Sequence, residues 1–145
     1  MSKISGYTGY IAFGVALMAT LGSLMFSELF KWVPCDLCWY QRVFMYPLVF
    51  VMGIGIVRRD HNWAPTALAL AVVGWFLALY HSLLQWGIIP SSLAPCTGGV
   101  SCAVKEVEPW LGFITIPFMS LMAFTVIIVA TTIFWKGVQQ NDEGN

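Results

Sequence analysis

Charged side chains are scarce in this sequence, and their scarcity excludes several classes of protein. Only 10% of the 145 residues are Asp, Glu, Lys or Arg, and seven basic residues balance seven acidic ones. Without a basic surface the chain has no electrostatic attraction for nucleic acid, so we expect no nucleic-acid partner. Hydrophobic residues make up 59% of the chain and its mean hydropathy is +0.77. This composition indicates an integral membrane protein.

Motifs for soluble redox cofactors are missing as well. The chain contains no dinucleotide-binding glycine fingerprint, no P-loop and no haem-attachment motif. Cysteine is also rare, but its four residues form two close pairs outside the apolar segments, Cys35 with Cys38 and Cys96 with Cys102. Cysteine pairs in polar loops are typical of an oxidising compartment.

Four apolar segments predict an all-α membrane protein, a four-transmembrane-helix bundle with two redox-active outer loops. The segments lie at about residues 9–27, 42–57, 65–84 and 112–135 of a single domain, and the polar tail 139–145 is predicted to be disordered. The second segment is shorter than the about 20 residues that a membrane crossing needs, so its helix should reach back to Trp39 or Arg42. Pro47 and Pro117 are expected to bend the second and fourth helices.

The orientation follows from charge and from redox chemistry. Four spans place both termini on one side of the membrane and both cysteine pairs on the other. The side with the termini carries four Lys or Arg residues against three, which favours cytoplasmic termini. Disulfides persist outside the cytosol, so the cysteine loops are expected to be extracytoplasmic.

The segment from Pro34 to Arg42 places redox chemistry at the membrane surface. A helix that begins just after Cys35 and Cys38 would aim its positive end at the two sulfurs, lower the pKa of a thiol and make it reactive. An arginine one to two turns into such a helix needs a function or a good partner. The plain alternatives are a structural disulfide and an interfacial anchor.

Two dithiol pairs in one compartment can exchange a disulfide, and the relay then needs a terminal electron acceptor. A membrane quinone is the natural candidate. His81 lies near the outer end of the third span, at a depth similar to that of Arg42, so both side chains are expected to hold a quinone oxygen. The alternative for His81 is an interfacial side chain that hydrogen-bonds a backbone carbonyl.

The ordered combination of motifs resembles the DsbB family of quinone-dependent thiol oxidoreductases. It consists of a CxxC pair followed by Tyr40 and Arg42, a histidine followed by Gln85, a second cysteine pair, and Trp110 ahead of Pro117. The likeness covers essentially the whole chain. The compact second pair is most similar to that of the smaller BdbC-like members from Gram-positive bacteria.

This resemblance implies an enzyme of the bacterial cytoplasmic membrane that reoxidises a DsbA-like or BdbD-like, thioredoxin-fold thiol oxidase and reduces ubiquinone or menaquinone. By position, Cys96 would form the mixed disulfide with the partner and Cys102 would resolve it. Cys35 would pass the oxidation between the pairs, and Cys38 would face the quinone beside Arg42. Longer family members carry an additional segment within the second pair that this chain lacks.

Three other interpretations remain open at this point. The four cysteines have the ligand chemistry of a zinc or copper site, although a five-residue gap is unusual for zinc. Two structural disulfides would also fit the spacing, but they leave Arg42 and His81 without a role. The vitamin K epoxide reductase family combines four helices, a CxxC and a quinone, with the opposite order of cysteine pairs.

Overall fold

The computed structural model describes residues 3–29, 31, 34–94 and 115–143, and the regular elements in these ranges are helices. The four long helices are α1 (Lys3–Glu28), α2 (Asp36–Arg58), α3 (Trp63–Gln85) and α4 (Ile116–Glu143), with a short 3-10 turn at Ser91–Leu93. Each of the four is long and apolar enough to cross a membrane. The predicted all-α membrane fold is confirmed, whereas most of the second outer loop lies outside the described residues.

The helices form a closed ring of neighbours in chain order. α1 packs on α2, α2 on α3, α3 on α4, and α4 returns to α1. Only residues 59–62 separate α2 from α3, so these two helices run antiparallel. Arg59 ends α2 in the left-handed conformation (φ 52°), and its N–H donates to the carbonyl of Ile56 over 3.2 Å.

Small side chains bring the helices close together at the bundle centre. Ala12 and Ala16 of α1 are fully buried, as are Ala67, Ala71 and Ala78 of α3. In lipid, where helices gain little from hiding apolar surface, close packing of small residues is a main source of association. Ala12 and Ala16 therefore serve helix packing.

The outer surface of the bundle is apolar, as a lipid-facing surface should be. Among its exposed side chains, Met18, Phe50 and Phe76 present 70%, 69% and 60% of their surface. In a soluble protein such an extent of apolar surface would mark a binding site or cause aggregation. Here it supports four membrane-spanning helices.

α2 begins at Asp36, between the two cysteines and not after them. Cys35 is its N-cap residue, and the Cys35 carbonyl accepts the first helical hydrogen bond from Trp39 over 3.1 Å. Cys38 consequently lies in the first turn, and Arg42 about 9 Å along the axis from Asp36. The extension supplies the length that the apolar segment alone lacks, and Pro47 lies inside the continuous helix.

Two expectations about the fourth helix are corrected. Pro117 is the second residue of α4, where a backbone N–H has no helical partner in any case, so this proline starts the helix and does not bend it. The tail was predicted to be disordered from residue 139, but α4 continues to Glu143. No proline follows Pro117, so none interrupts the helix beyond its apolar part.

Gly74 provides a test of the packing between α3 and α4. A Cβ atom at this position would lie 2.4 Å from ring carbons of Phe124, which is fully buried. We expect Gly74→Ala to lower the free energy of unfolding by about 1–3 kcal/mol, because the ring has no free space to move into. The measurement is unfolding in mixed detergent micelles.

Gly14→Ala is the matched control, since a Cβ atom at Gly14 meets no other atom within 4 Å. It makes the same glycine-to-alanine change in a transmembrane helix without crowding a neighbouring side chain. Equal stability of the two variants would contradict the packing described for Gly74.

Candidate active site

The sulfur atoms of Cys35 and Cys38 form a hydrogen-bonded dithiol at the head of α2. They lie 3.1 Å apart, whereas a disulfide bond measures about 2.05 Å. The helix geometry causes this proximity, because the N-cap residue and the residue three positions later lie on the same side of the first turn. Cys35 is 9% exposed and Cys38 is partly exposed. The two thiols therefore differ in their access to the surroundings.

Cys35 lies under an apolar cover. Leu37 and Leu84 are buried with it, and Tyr80 packs against them while its hydroxyl donates to the carbonyl of Leu93 over 2.8 Å. This hydrogen bond ties the segment after α3 to the site. Water has little access to the Cys35 sulfur, so the side chains beside it determine its chemistry.

The Cys35 thiol is prepared for nucleophilic attack. Its pKa is held well below its usual value, first by the hydrogen bond from the Cys38 thiol and then by His81, although burial alone would raise it. The His81 Nε2 atom lies 3.7 Å from the Cys35 sulfur. A thiolate is the reactive form of cysteine, so the reduced site holds one thiolate and one thiol.

His81 belongs to the Cys35 side of the site. It is 1% exposed, and its Nδ1 atom lies 3.0 Å from the side-chain nitrogen of Gln41. It does not line the cavity described below. The side chain nearest to its Nδ1 atom is thus Gln41, and the quinone contact expected for His81 stays a prediction.

Arg42 lies on the other side of Cys38 and is held by α1. Its Nε atom donates to the Ser23 hydroxyl over 2.8 Å, and Nη2 donates to the Ser23 carbonyl over 3.0 Å. The guanidinium also stands 5.4 Å from the centre of the Trp39 ring, within the range of a cation–π interaction. These contacts offset the cost of placing a cation among apolar helices.

A cavity of about 590 Å³ opens between α1, α2 and α4. Cys38, Gln41 and Arg42 contribute to its wall at the head of α2. The α1 side is formed largely by small residues, which leave the space open: Gly14, Ala19, Gly22, Ser23 and Ser27. Ala19, Ser23 and Ser27 recur every four residues, so they lie on one face of α1, and this face borders the cavity.

The structure divides the predicted site into two halves. It brings Cys35 together with His81, and it places Cys38 and Arg42 on the cavity. Cys96 and Cys102 lie outside the described residues. Sequence reasoning missed both Gln41 and Ser23. The signal for Gln41 was a neutral polar side chain about one turn after Cys38, just ahead of an apolar segment.

Metal binding is the main chemical alternative for this cluster. The donor atoms of Cys35, Cys38 and His81 lie within 4.8 Å of one another. However, two thiolates on a tetrahedral zinc ion, with Zn–S bonds of about 2.3 Å, would be about 3.8 Å apart. The 3.1 Å separation is that of a hydrogen-bonded dithiol. The geometry favours thiol–disulfide chemistry.

Comparison with known proteins agrees with the geometry. The sequence profile of the family described as "Disulfide bond formation protein DsbB" matches residues 7–134. Disulfide bond formation protein C of Bacillus subtilis is 46% identical over 120 residues, which cover 83% of this chain and 86% of the relative. Probable disulfide formation protein C 1 of Bacillus anthracis is 42% identical over 134 residues, which cover 92% and 96%. No solved structure gives a significant match.

The lowered pKa of Cys35 predicts an alkylation rate that resists acidification. An ordinary thiol loses about tenfold in thiolate per pH unit below its pKa, whereas Cys35 should stay near its maximal rate down to about pH 6. The measurement is alkylation of Cys35, read by mass spectrometry, in the reduced Cys96→Ser/Cys102→Ser chain.

His81→Leu removes the second of the two groups that lower this pKa, so it should move the midpoint of the Cys35 profile to higher pH. His61→Leu is the matched control, because His61 lies in the loop between α2 and α3. A Cys35 profile with the midpoint of an ordinary thiol in the native chain would contradict the geometry.

Proposed function

Since the chain belongs to the DsbB family, and is thus a membrane disulfide-generating oxidoreductase, we propose that it oxidises a thioredoxin-fold thiol oxidase and passes the electrons to a membrane quinone. The observation that supports the proposal best is the position of Cys38. One of its neighbours is the buried Cys35 thiol, and the other is an apolar cavity with Arg42 in its wall.

The cavity suits a quinone in chemistry and in size. Its wall is mainly apolar, and its volume of about 590 Å³ lies in the usual range for small-molecule sites. A quinone offers an apolar ring, a long apolar tail and carbonyl oxygens that accept hydrogen bonds. Both ubiquinone and menaquinone have these features. When bound, the quinone supplies a two-electron acceptor.

Arg42 is the residue that would orient the acceptor. Nε and one N–H of Nη2 are directed to Ser23, which leaves further guanidinium hydrogens for an oxygen in the cavity. A fixed cation beside Cys38 also stabilises negative charge that develops during reduction. Ser23 holds this cation in place, so no side chain has to reorganise when charge appears.

The relay itself is a pair of thiol–disulfide exchanges. A partner thiolate attacks Cys96 of an oxidised second pair, and Cys102 leaves as a thiolate. The partner's other thiol then displaces Cys96, so the partner ends as a disulfide and the second pair as a dithiol. That dithiol passes two electrons to the Cys35–Cys38 disulfide through Cys35. The first pair is reoxidised on the cavity side, through Cys38.

The chemistry also indicates the partner and the orientation. A DsbA-like or BdbD-like oxidase works on exported proteins, so both cysteine pairs would face the outside of the bacterial cytoplasmic membrane and both termini the cytoplasm. The four-against-three distribution of basic residues favours the same arrangement. The partner dithiol must then approach from the aqueous side at the head of α2.

Arg42→Met tests the quinone site. The methionine keeps an unbranched apolar stem and removes the cation, so we expect the KM for quinone to rise at least about tenfold, the equivalent of a charge-assisted hydrogen bond of about 1.4 kcal/mol. The assay is quinone reduction by purified protein with a reduced thioredoxin-fold oxidase.

Arg58→Met is the matched control, because it makes the same change at the far end of α2. It should leave the KM for quinone unchanged. An unchanged KM in Arg42→Met would place the acceptor elsewhere, and cysteine-independent turnover would refute the relay.

Cys102→Ser tests the partner reaction. Without Cys102, the oxidation comes from the first pair: Cys96 attacks the Cys35–Cys38 disulfide and forms a bond with Cys35, and Cys38 leaves as a thiolate. The thiolate of an oxidase that has lost its own second cysteine then attacks Cys96 and releases Cys35. The Cys96–oxidase disulfide should accumulate, because neither Cys102 nor a second oxidase cysteine can displace it. The covalent complex is detected by non-reducing gel electrophoresis and disappears on reduction. Cys96→Ser is the control, and an equal or larger amount of complex with that variant would contradict the two assigned roles.

A further inference from the structure

Three buried side chains form a connected row from the cavity wall to the reactive thiol. Gln41 is 6% exposed and borders the cavity, and its amide nitrogen lies 3.0 Å from Nδ1 of His81. His81 is 1% exposed, and its Nε2 atom lies 3.7 Å from the Cys35 sulfur. The row connects two helices, since Gln41 belongs to α2 and His81 to α3.

The donor and acceptor chemistry of the row allows one arrangement of protons. An amide –NH₂ group donates hydrogen bonds and does not accept them, so Nδ1 of His81 must be the acceptor and carries no proton. A neutral imidazole with an unprotonated Nδ1 carries its proton on Nε2, the nitrogen that points to Cys35. The Gln41 amide therefore selects the tautomer that offers an N–H to the sulfur.

We propose that Gln41 is a positioning residue, whose amide fixes His81 as the neutral Nε2–H tautomer and so directs a hydrogen-bond donor at the Cys35 sulfur. The inference deepens the proposed function, because it concerns the charge that the site must hold during turnover. Reduction of the disulfide consumes two electrons and one proton, and it leaves one thiolate and one thiol. The Nε2–H group stabilises the thiolate at Cys35 without adding a net charge.

A neutral donor has a specific advantage at this position. A carboxylate in place of the amide would accept from Nδ1–H and favour a positively charged imidazolium. The thiolate and the imidazolium would then form an ion pair, and a charged carboxylate would lie in the cavity wall. Gln41 gives the sulfur a hydrogen bond and keeps that part of the wall neutral.

The tautomer can be observed directly by ¹⁵N NMR. The chain has two histidines, so His61→Asn leaves His81 as the one labelled imidazole in ¹⁵N-histidine protein. The spectrum of the reduced, full-length protein in detergent or nanodiscs distinguishes a protonated from an unprotonated ring nitrogen. We expect a protonated Nε2 and an unprotonated Nδ1.

Two substitutions of similar size change the contact in different ways. In Gln41→Leu no group donates to Nδ1, so both neutral tautomers should appear. In Gln41→Glu the carboxylate accepts, so Nδ1 should become protonated. Ser82→Ala is the matched control, because it removes a buried polar group next to His81 that does not contact Nδ1. The Ser82 hydroxyl donates instead to the Ala78 carbonyl of α3. This variant should retain the native tautomer.

The chemical consequence is measured on Cys35 in the reduced Cys96→Ser/Cys102→Ser chain, which keeps the Cys38 thiol beside it. We expect the midpoint of the pH profile of Cys35 alkylation to rise by about one pH unit in Gln41→Leu, a tenfold change in the thiol–thiolate equilibrium, because the thiolate loses a directed hydrogen bond. The midpoint should stay unchanged in Ser82→Ala. Equal midpoints in the parent and Gln41→Leu would overturn the proposal.

The NMR spectra test the role of Gln41 without any measurement of catalysis. A protonated Nδ1 in the parent chain, or the same tautomer in all variants, would refute the role of Gln41 even if quinone reduction proceeds. The expected tautomer pattern with no quinone reduction would instead sustain the role of Gln41 and refute the proposed function. A purely structural Gln41 would alter stability without changing the tautomer.

Discussion

A buried cation or imidazole in this bundle needs a hydrogen-bonding partner, and this requirement organises the site. The surrounding helices offer mostly apolar surface, so a cation or an imidazole without a partner would carry its full desolvation cost. Arg42 meets the requirement through Ser23 of α1, and His81 through Gln41 of α2. These contacts hold the head of α2 between its neighbours and set the direction of each reactive group.

The two cysteines face different environments because each residue of an α-helix is rotated by about 100° from the one before it. Cys38 and Arg42 are four residues apart and lie about 40° apart around α2, so both can face the cavity. Gln41 is about 100° away from Arg42 and reaches His81. The head of α2 thus has a polar, buried face towards His81 and a face towards the apolar cavity. The two sulfur atoms lie at the boundary between these faces.

The sequence predicts the four spans and the depth of the site, because length, hydropathy and cysteine spacing determine positions along each helix axis. It does not predict the rotation of α2 about that axis. Residues from Val43 to Val57 are apolar on all faces, so periodicity does not indicate which face is buried. For this reason the sequence predicts a similar depth for Arg42 and His81 but does not show on which sides of α2 they lie. A proline bends a helix only when it lies in the helix interior, and Pro117 lies in the first turn of α4.

The cavity also determines how a ligand has to arrive. Its wall follows α1 from Ile11 to Ser27, a distance of about 24 Å along the axis, and it includes the exposed side chains of Met18 and Met119. Since these two side chains lie on the lipid-facing surface, a ligand would enter by lateral diffusion within the bilayer. The affinity of such a site compares ligand bound in the cavity with ligand dissolved in the surrounding lipid. The amount of ligand per lipid molecule, and not its concentration in the aqueous volume, therefore sets how fully the cavity is filled.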